Sequence, residues 1–266
     1  MTRIAIAGAA GRMGKILIAA VSEDTSATLT AATVRPGYTP GGDTQAADTE
    51  AVDAGVLAGV GQLGVTVSDD LEKVVKDFDV LIDFTTPDAT LAHLEICARF
   101  DKKMVIGTTG FSAAQLKQLD GFAESHAVVF APNFSIGVNA AFHLLGVAAE
   151  ILGGDVDIDV IEAHHKRKVD APSGTALRMG EIIEDKLKQH ERHAEVSYSS
   201  IRAGDIVGEH TVMFTGAGER IEITHRATSR MNFATGAVRA ARWLEDKSSG
   251  LFDMQDVLGL AGQRQT

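Results

Sequence analysis

The chain has 266 residues, a formal net charge of −11, 45% hydrophobic residues, 27 glycines and a single cysteine. That length gives one large domain or two with a substantial core, and the acidic balance argues against nucleic acid, which needs an extended basic surface. Cys97 alone cannot close an internal disulfide, so a reducing, cytoplasmic setting is expected. No apolar run approaches the roughly 20 residues of a membrane span, and with a strand beginning at Arg3 no signal peptide is expected.

Arg3-Ile-Ala-Ile-Ala-Gly8 reads as a buried strand. It turns through Gly8-Ala9-Ala10-Gly11-Arg12-Met13-Gly14 into an apolar helix marked by Ile16, Leu17, Ala20 and Val21. Glycines at such a turn let the backbone approach a pyrophosphate, which the helix N-terminus then stabilises. The spacing is Gly-x-x-Gly-x-x-Gly rather than the commoner Gly-x-Gly-x-x-Gly. Its place at the start of a strand–helix–strand unit makes it the candidate dinucleotide site. A second strand, Ala27 to Val34, ends where a carboxylate would hold the adenosine ribose of NAD. Val34 and Arg35 stand there instead. An arginine without that carboxylate suits a 2′-phosphate, so NADPH is expected to be preferred and NADH tolerated; the plainer alternative is a surface arginine.

From Pro36 to Gly64 the periodicity fades, and a loop without chemistry is expected. A short strand is expected over 65–67 and a helix from Asp69 or Asp70 through Val75. Asp79 to Phe84 reads as a buried strand, closed by Thr85-Thr86-Pro87 before a helix through Phe100. Met104 to Gly107 is the next strand, with Thr108-Thr109-Gly110 as its loop. Ser112-Ala-Ala-Gln115 is a capping box that opens another helix, and Ala127 to Ala131 is a strand ending in Pro132-Asn133-Phe134-Ser135. Alternation of this kind predicts an α/β fold, a doubly wound parallel Rossmann-type sheet with its ligand at the strands' carboxyl ends. Phe84, Gly107, Thr108, Thr109, Ala131, Pro132, Asn133 and Phe134 are therefore expected to line the nicotinamide half of the cofactor.

Beyond Asn133 the pattern changes to a long apolar helix (138–152), a strand (155–163), a basic turn and a helix (173–188). Three strand-like stretches follow, 194–202, 209–214 and 220–227, the last two joined by Gly216-Ala-Gly218 as an antiparallel pair. Residues 135–230 are thus expected to form a second, α+β substrate domain. The final helix, 233–244, and Gly250-Leu-Phe-Asp-Met should pack back on the first, giving a dinucleotide domain of 1–134 plus 231–266. Crossings near Phe134 and Arg230 are expected to act as a hinge.

The most informative stretch runs from Glu162 to Ala176. Five consecutive residues, His164 to Lys168, are cationic or can become so, and an alternating strand precedes them. Asp170-Ala-Pro172-Ser173-Gly174-Thr175 reads as a helix start with a cap candidate, a proline in the first turn and free backbone donors. Most basic runs are solvated surface, but that reading does not explain the His pair or the Ser-Gly-Thr. A basic loop feeding a helix N-terminus is an anion site, here rich enough in donors for a small dicarboxylate.

The unbroken string Glu-x-His-His-x-x-Lys-x-Asp-Ala-Pro-Ser-Gly-Thr-Ala resembles the signature of the 4-hydroxy-tetrahydrodipicolinate reductase family. The resemblance extends over nearly the whole chain, through Gly8–Gly14, Val105–Phe111, Asn133–Asn139, Arg202–His210, Ser229-Arg230 and Gly250–Met254. It implies a homotetrameric enzyme that uses NADPH or NADH in diaminopimelate and lysine biosynthesis. It also implies that His164 is the acid/base group and Lys168 the proton donor. His165, Ser173, Gly174 and Thr175 would bind the substrate's carboxylates, with Arg230 nearby. Physical chemistry agrees: a buried dicarboxylate needs cations and backbone donors, and protonation after hydride addition suits a histidine or a lysine.

Two departures from the family pattern bear on function. Val34 replaces an acidic residue, and the region between about 190 and 201 is shorter than usual, which affects subunit pairing. The competing readings are another two-domain NAD(P)-dependent reductase, such as an amino-acid dehydrogenase, and a dinucleotide-binding redox sensor without catalysis. The remaining histidines (93, 126, 143, 190, 193, 210 and 225) lack metal-ligand spacing, so they read as structural or surface and no metal is expected.

Overall fold

The computed structural model describes residues 1–38 and 52–260. The chain divides into two compact units, Met1–Phe134 with the segment from Met231 onward, and Ser135–Arg230.

In the first unit the strands β1 (Thr2–Ala7), β2 (Ala27–Thr33), β3 (Val67–Ser68), β4 (Val80–Asp83), β5 (Lys103–Ile106) and β6 (Ala127–Phe130) join a late strand, Gly250–Phe252 (β11 in chain order). They pair in parallel in the order β11-β6-β5-β4-β1-β2-β3. The strand order reverses between β1 and β4, the position where open parallel sheets bind ligands. Alternate residues of β1 feed two cores. Ile4 and Ile6 pack with Leu17, Ile18 and Val238 on one face. Ala5 and Ala7 pack with Leu94, Cys97 and Leu119 on the other. Burial on both faces is why these strands read as continuous apolar runs, and each such Leu or Ile contributes about 2 kcal/mol. The helices responsible are α1 (Arg12–Glu23) and α7 (Met231–Trp243) on the first face, and α3 (Pro87–Arg99) and α4 (Ala113–Ala123) on the second. Both halves of the Ser112/Gln115 capping box form.

Three local expectations are corrected. Residues 39–51 of the expected loop lie outside the described residues, but 52–64 has structure of its own. The Asp53 carboxylate accepts N–H groups from Gly55, Val56, Leu63, Gly64 and Val65 and caps a short helix, α2 (Ala54–Ala58). The strand expected over 65–67 is confined to Val67–Ser68. The helix expected to run through Val75 is a single 3-10 turn, Glu72–Val74. There Asp70 Oδ1 accepts the Glu72 N–H and Ser68 Oγ accepts the Asp70 N–H, so side chains hold the entry in a turn.

The second unit begins with α5 (Ile136–Leu152), continues through β7 (Asp157–His164), α6 (Gly174–Gln189) and β8 (Val196–Arg202), and ends with the hairpin β9 (Gly208–Gly216) and β10 (Glu219–Ala227). Its sheet runs β10-β9-β7-β8, with β8 parallel to β7 and the other pairs antiparallel. Ile158 and Val160 of β7, Val212 and Phe214 of β9, and Val196 of β8 meet Leu145 of α5 and Met179 and Ile183 of α6 in one core. The pleat carries the same face onward to Glu162 and His164 at the carboxyl end of β7.

Candidate active site

At the end of β7 the apolar alternation gives way to two buried polar residues. Glu162 is 1% exposed and His164 9%. His164 Nδ1 lies 2.5 Å from Glu162 Oε2. Arg202, which pairs with His164 across β8, reaches both oxygens of Glu162, at 2.8 and 2.6 Å. Burial works against the charged form of Glu162, but the hydrogen bonds from Arg202, Ser200 and His164 outweigh it and hold its pKa at about 2. Burial lowers the pKa of His164, with Glu162 partly opposing it, which favours the neutral imidazole.

The turn after His164 is fastened at both ends. Ala203 N–H donates to the His164 carbonyl at 2.9 Å and Lys166 N–H to the Gly204 carbonyl at 3.2 Å. Arg202 also donates to the Asp170 carbonyl at 2.5 Å, so one guanidinium ties together the two sides of the basic loop. The Lys168 ammonium pairs with Asp170 at 2.8 Å, which holds the Asp170 carboxyl below its usual range. His165 Nδ1 is sheltered and has no partner among the described residues, as a donor or acceptor reserved for a ligand would be.

The N-cap of α6 is Ser173, its Oγ accepting from Ala176 N–H at 3.2 Å. Pro172 therefore precedes the cap, a correction to its expected place in the first turn. Gly174 and Thr175 form the first turn, which contains no acidic side chain, and a Cβ at Gly174 would meet only open space. Arg230 is half-buried and follows β10, whose last residue, Ala227, pairs with Gly208. His210, read from sequence as structural or surface, joins this site. Its Nε2 is 3.0 Å from Ser173 Oγ and its ring stands edge-on to His164 at 5.1 Å. Burial first, then the His164 charge, pushes its pKa down to about 4. Glu162, Arg202 and Gly208 lie within the family-like motifs, but their sequence positions alone assign them no role. The available signal was the spacing of Glu162, which puts it on the same strand face as His164.

In the first unit the Gly8–Gly14 turn leaves β1 at the switch point. Gly8 has φ +67° and its carbonyl accepts Gly11 N–H at 2.8 Å. A Cβ on Gly14 would lie 2.2 Å from that carbonyl oxygen, so only glycine lets α1 start so close to the strand. The cap of α1 is Gly11, which has no side chain to occupy the N–H groups at Arg12 and Met13. Ala9 is buried and its N–H is engaged with the Thr33 carbonyl, while Ala10 lies half-buried beside it. Val34 packs against the core and only Arg35 projects outward.

The carboxyl ends of β4, β5 and β6 converge on the same side. A Cβ on Gly8 would lie 2.8 Å from Thr85 Cγ2, and one on Gly107 would lie 2.2 Å from the Phe84 ring. Phe84 in turn packs on Phe134 at 5.4 Å, beyond the buried Ala131 and the exposed Pro132, with Asn133 half-buried between. Thr108 is buried and accepts Thr85 N–H, whereas Thr109 is exposed. Beneath them the buried Asp83 accepts from Thr85 N–H and Oγ1 and meets His93 Nδ1 at 2.7 Å. The uncapped helix start and the glycine cradle fit a nicotinamide dinucleotide. Among the described residues no group of three His, Cys, Asp or Glu could hold a metal, and no helix is long and apolar enough to cross a membrane.

Family models for the two parts of dihydrodipicolinate reductase match this chain, the N-terminus over residues 2–134 and the C-terminus over 137–258. A 4-hydroxy-tetrahydrodipicolinate reductase of Chromohalobacter salexigens is 52% identical over 98% of this chain and the whole of its own length. A dipicolinate-bound dihydrodipicolinate reductase from Paenisporosarcina sp. TG-14 superposes with TM-score 0.75 at 26% identity, covering 96% of this chain and 98% of that one. An amine dehydrogenase from Mycobacterium smegmatis shares the fold alone, with TM-score 0.57, 15% identity and 94% of each chain covered.

Proposed function

We propose that this chain, which belongs to the dihydrodipicolinate reductase family, holds a ring dicarboxylate in the His164–Thr175 turn and manages its protons with His164 and Lys168. The activity is the NAD(P)H-dependent reduction of 4-hydroxy-tetrahydrodipicolinate to tetrahydrodipicolinate in the diaminopimelate and lysine route. One hydride and one proton enter, and the hydroxyl leaves as water.

The observation that carries the site reading is the convergence in one turn of a buried imidazole, an ammonium and the Ser173-capped N-terminus of α6. The N–H groups of Gly174 and Thr175, with His165 and Arg230, suit the two carboxylates. Ser173 keeps the helix start rigid through its cap and its bond to His210. His164 is neutral and can take a proton from the ring and return it. Lys168, once a carboxylate competes with Asp170 for its ammonium, supplies the proton that the reaction consumes. Positioned proton transfer of this kind contributes on the order of 10²- to 10⁴-fold.

A bound nicotinamide cofactor supplies the hydride. Gly8 to Met13 would cradle its pyrophosphate, and Phe84, Gly107 to Thr109 and Ala131 to Phe134 its nicotinamide half. NADPH is the preferred form in this reading, because Arg35 projects outward where the ribose would lie and Val34 offers no carboxylate to repel a 2′-phosphate. A cytoplasmic homotetramer suits the reduced, buried Cys97 and the sheet face away from α5 and α6, where Ile201 is 48% exposed.

The direct test mixes the protein with NADPH and freshly formed condensation product of pyruvate and aspartate semialdehyde. Cofactor oxidation that depends on both is expected; oxidation only with an amino acid, or none, would overturn the reading.

A further inference from the structure

We infer that Glu162 is the positioning residue of the proton-transfer step: it accepts the Nδ1–H of His164 and thereby fixes the tautomer whose Nε2 lone pair is open to the substrate. This rests on the reading of His164 as the acid/base group.

A neutral imidazole carries one proton, on either nitrogen, and only the other nitrogen can accept one. Which form is present depends on the partner. Glu162 leaves no choice, because its two oxygens already receive Arg202 Nη1 and Nη2 and a carboxylate so held is an acceptor only. The hydrogen in the 2.5 Å contact between Oε2 and Nδ1 therefore belongs to the histidine. The low pKa of Glu162 agrees.

The arrangement follows from the strand. Residues 162 and 164 share one face of β7 by the period of two, and Arg202 arrives on the same face because it pairs with His164 in the register of β7 with β8. Edge-on packing of His210 against His164 limits rotation of the ring. On the remaining side a Cβ at Gly208 would lie 3.0 Å from Nε2, so the glycine leaves that nitrogen room. The orientation of one nitrogen by a buried carboxylate, freeing the other for chemistry, is the logic of the serine-hydrolase triad. A Glu162–Arg202 pair kept only for stability would have no need of the histidine as a third partner.

The first test is imidazole ¹⁵N NMR of the whole protein near pH 7.5. His164 is expected to carry its proton on Nδ1; a proton on Nε2 instead would overturn the inference, and no variant is needed to see it. The second test is Glu162→Gln, in which the amide NH₂ must oppose a guanidinium or face Nδ1. A fall in kcat on the order of 10²-fold is expected, within the range of positioned acid/base catalysis, with cofactor affinity unchanged. The acid limb of the kcat profile should move to lower pH, because the contact that raises the His164 pKa is weakened.

A stable, cofactor-binding Glu162→Gln enzyme with wild-type kcat and pH profile would overturn the inference while leaving the site intact, provided that His164→Gln is inactive. Full activity of His164→Gln would instead overturn the reading of the site itself.

Discussion

A Cβ built on Gly208 would stand 3.0 Å from Nε2 of His164. The φ of Gly208 is outside the left-handed region, so the glycine is required there for space and not for backbone freedom. Gly208→Ala should therefore fold normally and bind cofactor normally, yet lower kcat by about tenfold as the imidazole is displaced by a few tenths of an ångström. Steady-state kinetics beside a cofactor titration check this. An equal loss in both would point to a general disturbance of the fold.

Arg35 projects outward at the end of β2 while its neighbour Val34 packs inward. Arg35→Ala should raise KM for NADPH by about tenfold, the worth of one charge-assisted contact, and leave KM for NADH within about twofold. Parallel measurements with both cofactors decide the matter. Equal changes would remove Arg35 from the phosphate site.

The parallel sheet was readable because strands buried on both faces are apolar throughout, as Ile4 to Ala7 and Val80 to Ile82 are, whereas its strand order came only with the structure. The Ser112 box was equally plain, since both of its members are local. What the sequence hid was tertiary. Asp53 gathers five amides, two of them only two or three residues away but three across a ten-residue gap, and no period marks such a knot. Asp70 stopped a helix at one turn by a side-chain bond. In the site, the placement of His164 and Lys168 between β7 and the start of α6 was legible from one unbroken string. Arg202 and His210 sit on other strands, and their roles appear only once β8 and β9 flank β7.

Two buried groups set the response of stability to acid. The pKa of His210 falls from 6.5 to about 4 on folding, so between those values the unfolded chain takes up the proton first and stability is lost as pH falls. The loss is on the order of 3 kcal/mol. Glu162, lowered from 4.5 to about 2, adds a further loss as pH falls through that lower window. Urea midpoints at pH 7.5, 5.5 and 4 should decline in step, and His210→Gln should flatten the decline between pH 6.5 and 4. A midpoint independent of pH over that range would contradict the burial of His210 as a neutral ring.

Asp53→Asn replaces one acceptor oxygen by a donor at a carboxylate that binds the amides of Gly55, Val56, Leu63, Gly64 and Val65. Faster hydrogen exchange is expected at those amides, with a smaller effect on the thermal midpoint, because Val56, Leu63 and Gly64 are exposed and only Ala54 of this segment is a full member of the core. Unchanged protection there would show that the knot contributes nothing to local order.

The central claim is that the His164–Lys168 turn manages the proton for a dicarboxylate whose hydride comes from a nicotinamide. The most direct measurement is turnover of the His164→Ala/Lys168→Ala enzyme with NADPH and the condensation product, alongside its cofactor affinity. The account predicts a kcat lowered by at least about 10²-fold with cofactor binding within about twofold of the wild type. Wild-type turnover by that double variant would contradict it.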